Sequence, residues 1–137
     1  MTDENSVLVV AAGKGARDQA ITYAVYHTQN RRSFRPCRWI AFYANNSIDT
    51  LAEVDGEPEH DVIIGKRPEL AALAAVMPTS NGDPMSPHSL FRLKSVSAIG
   101  PIENDLLGAN GRRTAYTQRQ RYTTIDRIRR ARRTSEL

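Results

Sequence analysis

Three segments of the chain carry clear hydrophobic patterns of β-strands. Residues 6–12 form a short apolar run, which is typical of a buried strand. Residues 38–54 hold two apolar segments on either side of the turn signal at 45–47, so they predict a β-hairpin. Residues 90–102 alternate between two sets of side chains and predict one long strand.

Residues 19–28 fit two kinds of structure. Their β-branched and aromatic side chains favour a strand, and we expect a strand here. A helix is the alternative, because Ala20, Ala24 and His27 would share one helical face.

Three further segments are predicted from shorter patterns. Residues 62–64 predict a brief strand, and residues 114–122 predict a polar strand with one aromatic edge. Residues 68–77 begin with proline and continue with alanine and leucine, which favours a helix.

A last helix is predicted to begin at Thr123, because Thr123 and Asp126 form a variant of the capping box. Ile125 and Ile128 give this helix a narrow apolar stripe, and arginines occupy much of its remaining surface. Such a helix can dock by its isoleucines and still present arginines to solvent.

These elements predict an α+β protein. We expect a small mixed or mainly antiparallel β-barrel of five to seven strands with two helices, the last of them basic. The 137 residues are enough for one domain with a substantial core. We therefore expect a single domain over residues 1–137, with residues 1–5 disordered.

The composition points to the cytoplasm. No run of 18 apolar residues is present, so no membrane span is expected. The polar beginning MTDENS does not resemble a secretory signal. Cys37 is the single cysteine, which excludes an internal disulfide.

Charge is strongly polarised along the chain. Residues 112–137 contain nine arginines and two acidic residues, a formal charge of +7, whereas residues 1–111 carry −3. Sixteen of the 19 basic residues are arginines. The planar guanidinium group of arginine binds phosphate through several N–H donors and can also stack on bases. This basic end predicts a nucleic-acid partner, either DNA or RNA, and a steep salt dependence of binding.

The basic segment supplies most of the expected nucleic-acid contacts. The candidate phosphate contacts are Arg112, Arg113, Arg119, Arg121, Arg127 and Arg130. A second cluster, interleaved with aromatic side chains, adds Arg32 and Arg35. The expected walls of a base pocket are Phe34, Trp39, Tyr43 and Tyr116. The alternative for the aromatic residues is an ordinary role in the core.

Two other classes of function stay open. Asp49, Glu53 and Asp55 could serve a metal-dependent nuclease or a small hydrolase, although no lysine follows them at the spacing that restriction nucleases use. The arginine-rich helix could instead join a protein assembly, either with an acidic partner or as a homodimer. No catalytic residue, metal ligand set or cofactor is predicted, because the histidines are scattered and the glycines near Lys14 lack the spacing of a phosphate loop.

The hairpin segment RWIAFYANNSIDTLAEV resembles a hairpin of PUA-like barrels, the superfamily that includes EVE, ASCH and YTH domains. The later segments FRLKSVSAIGPI and RRTAYTQRQRYTTIDRIRRA are similar to the closing strands and terminal helix of small prokaryotic domains of that superfamily. The resemblance implies a barrel that binds nucleic acid and recognises a flipped or modified base. It also implies a partner from a restriction or defence system.

Overall fold

The computed structural model of the chain shows one β-sheet with short helices packed on it. It describes residues 4–12, 15–77, 82–107, 111 and 121–137. Within these ranges the strands are β1 (Ser6–Ala11), β2 (Val25–Gln29), β3 (Trp39–Ala44), β4 (Ser47–Val54), β5 (Glu59–Ile63), β6 (Pro87–Glu103) and β7 (Arg121–Thr124). The α-helices there are α1 (Ala16–Tyr23), α2 (Ala71–Val76) and α3 (Ile125–Arg130). None of these helices has the length and apolar character needed to cross a membrane.

The sheet is mixed. Its strand order is β2-β6-β4-β3-β1-β7, and β5 pairs with β6 beside this path. β1 and β3 run parallel, with Val7 opposite Trp39, and the other pairs are antiparallel. The α+β class is therefore confirmed. The described strands form an open path rather than a closed ring, so the barrel is not shown.

β6 changes partners along its length. Its first half, residues 87–92, pairs with β2 on one side and β5 on the other, and its second half pairs with β4. Between the pairs Thr50–Ala98 and Ile48–Ile102, three residues of β6 face one residue of β4. Such a bulge bends a strand, and the proline within it cannot donate a ladder hydrogen bond.

The central strands are buried on both faces, which explains their continuous apolar sequences. One face carries a core that includes Leu8 and Phe42, and α1 covers it through Ala20. The rings of Tyr26 and Phe42 meet edge to face at 5.8 Å although β2 and β3 are not neighbours, so the sheet curls around this core.

The opposite face of β1 and β3 carries a second core. Val9, Tyr43 and Ile102 form it together with Ile125 and Ile128 of α3. The two isoleucines are 6% and 3% exposed, so the predicted apolar stripe does dock this helix on the sheet. A third cluster lies under α2.

The structure bears out several of the predicted elements and corrects two. The hairpin at 38–54 appears as β3 and β4, and the long strand at 90–102 appears as β6. The strand predicted over residues 19–28 is wrong in its first half, because α1 continues to Tyr23 and β2 begins at Val25. Ala24 ends the helix in a left-handed conformation, with φ of 56°. α1 buries only Gln19 and Ala20, too little to produce a visible helical pattern.

The start of the last helix is also corrected. Thr123 belongs to β7, where it lies opposite Val7. The cap is Thr124, whose hydroxyl accepts a hydrogen bond from the Arg127 N–H at 3.3 Å. The helix ends at Arg130, so the following arginines lie outside it.

Leu8 offers a test of the doubly buried central strands. Replacing Leu8, which is fully buried, by alanine should lower the free energy of unfolding by about 2–5 kcal/mol, because the cavity cannot collapse between two packed faces. Urea denaturation measures this change. Ile21→Ala, at a residue that is 57% exposed, is the control and should change stability by no more than about 0.5 kcal/mol. Equal effects of the two substitutions would contradict this account of the core.

Candidate nucleic-acid interface

A groove of about 780 Å³ lies between the second half of β6 and the end of α3 with the residues that follow it. We call it the arginine groove. Its lining residues are Ile99, Gly100, Pro101, Glu103, Ile128, Arg129, Arg130, Ala131, Arg132 and Arg133. The bulge of β6 and the end of the chain therefore build one concave surface.

The four arginines of the groove are exposed. Among the described residues, no carboxylate forms an ion pair with any of them. The Arg130 Nε donates to the backbone oxygen of Asp126 at 3.3 Å, and the Arg129 guanidinium lies 5.8 Å from the Trp39 ring centre. Their charges are thus not neutralised by an ion pair within the described part of the chain.

Several arginines elsewhere in the described part of the chain are paired with carboxylates. Arg17 donates to Asp49 at 3.1 Å, Arg38 to Glu53 at 2.7 Å, and Arg92 to Glu59 at 2.9 Å. Arg92 is also the main cause of a lowered pKa of Glu59. Arg31 pairs with Asp61 and lowers the pKa of that carboxyl. The ion-paired arginines and the groove arginines therefore differ in their surroundings and not in residue type.

Hydrogen bonds at the end of the chain place Arg132 and Arg133 along β6. The Glu103 N–H donates to the Arg132 backbone oxygen at 2.8 Å, and Glu103 forms a parallel bridge with Arg133. The Asp105 carboxylate accepts hydrogen bonds from the Ser135 hydroxyl at 2.6 Å and from the Ser135 N–H at 2.9 Å. We call these contacts the C-terminal clasp. The Ser135 hydroxyl is the largest cause of a lowered pKa of Asp105.

Thr134 forms the buried part of the clasp. Thr134 is 4% exposed, and its hydroxyl lies 3.0 Å from a side-chain oxygen of Asn104 and 3.0 Å from one of Asp105. Asn104 in turn donates to the Tyr43 hydroxyl at 3.0 Å. Tyr43, which the sequence placed in a pocket wall, is 7% exposed and instead connects the clasp to the core.

The aromatic residues expected to line one pocket are separated by the sheet. Phe34 packs edge to face on Phe91 at 5.5 Å, on the face that α1 covers. Trp39 packs on the opposite face, with Tyr43. Trp39 and Tyr43 lie an even number of residues apart along β3, so their side chains point to the same face of the sheet, the face on which α3 packs. Phe34 precedes β3 in a loop and packs on the other face. Tyr116 lies outside the described residues.

The predicted phosphate contacts fall into three groups. Arg127 and Arg130 are exposed on α3. Arg32 and Arg35 lie in the loop before β3, with the Arg32 guanidinium 5.4 Å from the Phe34 ring centre and that of Arg35 3.8 Å from the Tyr122 ring centre. Arg121 begins β7, with its backbone opposite Val9. The other three, Arg112, Arg113 and Arg119, lie outside the described residues.

Sequence reasoning missed most of the groove itself. It did not select Arg129, Arg132 or Arg133, because it did not foresee that the chain turns back to β6 after α3. It also treated residues 99–101 as part of a regular strand. The pair Gly100-Pro101 was an available signal, since glycine and proline inside a strand pattern mark a bulge.

Two of the three acidic residues considered for catalysis, Asp49 and Glu53, form structural contacts. Asp49 and Glu53 accept hydrogen bonds from arginines, and Glu53 also lies 3.8 Å from Lys94. In the described ranges no three histidine, cysteine or acidic side chains lie close enough together to hold a metal ion. The Ser89 hydroxyl lies 2.7 Å from the His60 Nδ1, but Ser89 is fully buried and a substrate cannot reach it.

Comparison with protein-family models, with curated proteins and with solved structures gives no match for this chain.

Cys37 should be unreactive in the folded protein. Burial raises the pKa of its thiol from 9.0 to about 11, so little thiolate forms at neutral pH. Alkylation by iodoacetamide near pH 8 should be slow in buffer and fast in urea, as measured by mass spectrometry. Because the unfolded thiol ionises first, the free energy of unfolding should also fall as the pH rises from about 9 to about 11. Equal labelling rates with and without urea would contradict the burial.

The C-terminal clasp should contribute to stability through Thr134. Thr134→Val keeps the shape of the side chain but removes a buried hydroxyl that lies within hydrogen-bond distance of the buried Asn104 side-chain oxygen and of the part-buried Asp105 N–H and carboxylate. We expect a loss of about 1–3 kcal/mol in urea denaturation. Thr22→Val, at an exposed position of α1, is the matched control and should change stability by less than about 0.5 kcal/mol. If both variants were equally stable, the clasp would not hold the chain end.

Proposed function

We propose that this protein binds nucleic acid and that the arginine groove contacts its phosphates. The observation that carries the proposal is the gathering of four exposed arginines around one concavity, with no ion pair between their side chains and a carboxylate of the described residues. Guanidinium groups bind phosphate through paired N–H donors. The excess of acidic residues in the rest of the chain would repel a polyanion and orient it towards this end.

A structural explanation of these arginines accounts for only part of the cluster. Cations near the C-terminus of a helix interact favourably with its dipole by about 0.3–1 kcal/mol, which would suffice for Arg129 and Arg130. Arg132 and Arg133 follow the end of α3, so the dipole gives no reason for them. A ligand with several negative charges explains all four.

The other predicted arginines extend the proposed interface. Arg127 continues the exposed basic surface of α3, and Arg121, Arg112, Arg113 and Arg119 precede that helix in the chain. The Arg35 guanidinium lies over the Tyr122 ring of β7, and a stacked guanidinium can still bind phosphate through the N–H groups at its edge. We propose these residues as additional backbone contacts.

We also propose that the fold is a relative of PUA-like barrels. The β3–β4 hairpin and the curl of the sheet around Tyr26 and Phe42 support this relationship. An experimental structure in which the strands close into a ring would agree with it, and an open sheet over the whole chain would contradict it.

The double variant Arg130→Gln/Arg133→Gln tests the binding function. We expect the affinity for DNA or RNA oligonucleotides to fall with salt in the wild type, and the slope of log K against log salt to decrease in magnitude by about 1 for each phosphate contact removed. Fluorescence anisotropy at several salt concentrations measures both quantities.

The matched control is Arg31→Gln/Arg67→Gln. It removes the same charge from exposed ion pairs of the body, away from the groove, and should leave the slope unchanged. An affinity that does not depend on salt, or an equal loss in both double variants, would remove the support for the groove as the binding site.

A further inference from the structure

We infer that the arginine groove takes single-stranded nucleic acid, with an unpaired base on its floor and phosphates on its rim. This inference rests on the proposed function and specifies the form of the ligand. It follows from the composition of the floor, from the size of the groove and from the place of Glu103.

Five of the ten residues that line the groove have no polar side chain, and we call these five its floor. They are Ile99 and the two residues after it on β6, together with Ile128 and Ala131 on the other side. Ile128 is 3% exposed, so the apolar surface that a ligand could contact comes from the other four. A surface that contacted only phosphates would gain nothing from an apolar concavity. An aromatic base gains by leaving water and covering such a floor.

The other lining residues of the groove are the four arginines and Glu103. Guanidinium planes can stack on unpaired bases as well as bind phosphates. The volume of about 780 Å³ lies within the range of about 300–1,000 Å³ that ligand sites occupy. In a duplex the bases are stacked and paired, and only their edges can be contacted from the grooves. A duplex would therefore meet the rim alone, whereas a single strand can insert a base.

Glu103 gives the groove one acceptor among the arginines. Its carboxylate is exposed and lines the groove, and its backbone N–H belongs to the C-terminal clasp. A carboxylate would repel a phosphate at that point. It can instead accept a hydrogen bond from an amino group on a base edge. The groove thus has separate places for the phosphates and for a base.

Gly100 allows a large apolar side chain to be added at the groove without disturbing the fold. A Cβ added at this residue would meet no atom within 4 Å, and the residue is exposed on a strand. Gly100→Leu therefore adds apolar bulk at a lining residue of the groove while every charge is kept. Ala98→Leu is the matched control, because it adds a leucine to an exposed position of the same strand outside the groove.

The experiment compares three fluorescent ligands by anisotropy: a short single-stranded oligonucleotide, an abasic strand of equal length, and the corresponding duplex. DNA and RNA strands are measured in parallel arms. We expect the wild type to bind the base-containing strand about tenfold more tightly than the abasic strand. Gly100→Leu should lose this preference and keep the salt slope, whereas Ala98→Leu should behave as the wild type.

The outcomes separate this inference from the binding function itself. Equal affinity of the wild type for abasic and base-containing strands would overturn the inference and leave phosphate binding intact. Equal weakening of single strand and duplex by Gly100→Leu would do the same. Failure of the wild type to bind any of the three ligands would contradict the proposed function. The abasic comparison needs no variant, so the test stands even if Gly100→Leu fails to fold.

Discussion

The contact that returns the end of the chain to β6 is the constraint on which the proposed interface depends. α3 has six residues, and a helix of that length is not stable in water by itself. It is held from one side by two isoleucines in the core and from the other by the C-terminal clasp. Without the clasp, Arg132 and Arg133 would belong to a free tail and the groove would lose one wall.

The clasp also offsets an electrostatic cost. Two like charges 4 Å apart in water repel by about 1 kcal/mol, and four adjacent arginines without counter-ions oppose a compact arrangement. Asp105 accepts two hydrogen bonds from Ser135, and the Glu136 Oε1 accepts one from each of the Arg132 and Arg133 backbone N–H groups. The protein thus uses two carboxylates to hold the backbone at and after these arginines, and among the described residues neither carboxylate forms an ion pair with their side chains. This division keeps the segment ordered and its charge available.

The sequence predicted those elements whose patterns are set by burial. β3 and β4 were predicted correctly because two apolar segments joined by an asparagine turn fit few structures other than a β-hairpin. β6 was found through its alternation, and α3 through Ile125 and Ile128. α1 was missed because its buried side is small and partly polar, with Gln19 and Ala20 in place of a leucine stripe. The spacing of apolar residues cannot indicate a helix whose buried side is held by polar contacts. In α1 the side chain of Gln19 lies within hydrogen-bond distance of His27 instead of packing as an apolar residue.

The groove could not be predicted because it joins two segments about thirty residues apart. The charge of the chain end was visible, but its partner surface depends on a bulge in β6 and on the exit of the chain after Arg130. Such long-range pairing depends on backbone geometry rather than on residue type. The same limit explains why Phe34 and Trp39 were grouped together: their nearness in sequence hid the fact that a sheet separates them.

Trp39 shows how the structure changes the role of an aromatic side chain. Its Nε1 donates to the Glu4 backbone oxygen at 3.2 Å, and the ring packs against the core beneath α3. The guanidiniums of Arg38 and Arg129 lie 5.7 and 5.8 Å from the ring centre. An exposed contact of this kind contributes about 0.5–1 kcal/mol, enough to favour one orientation of a long side chain. Trp39 therefore serves the proposed interface by positioning Arg129 at the groove, and the proposed site for a base is the floor of that groove.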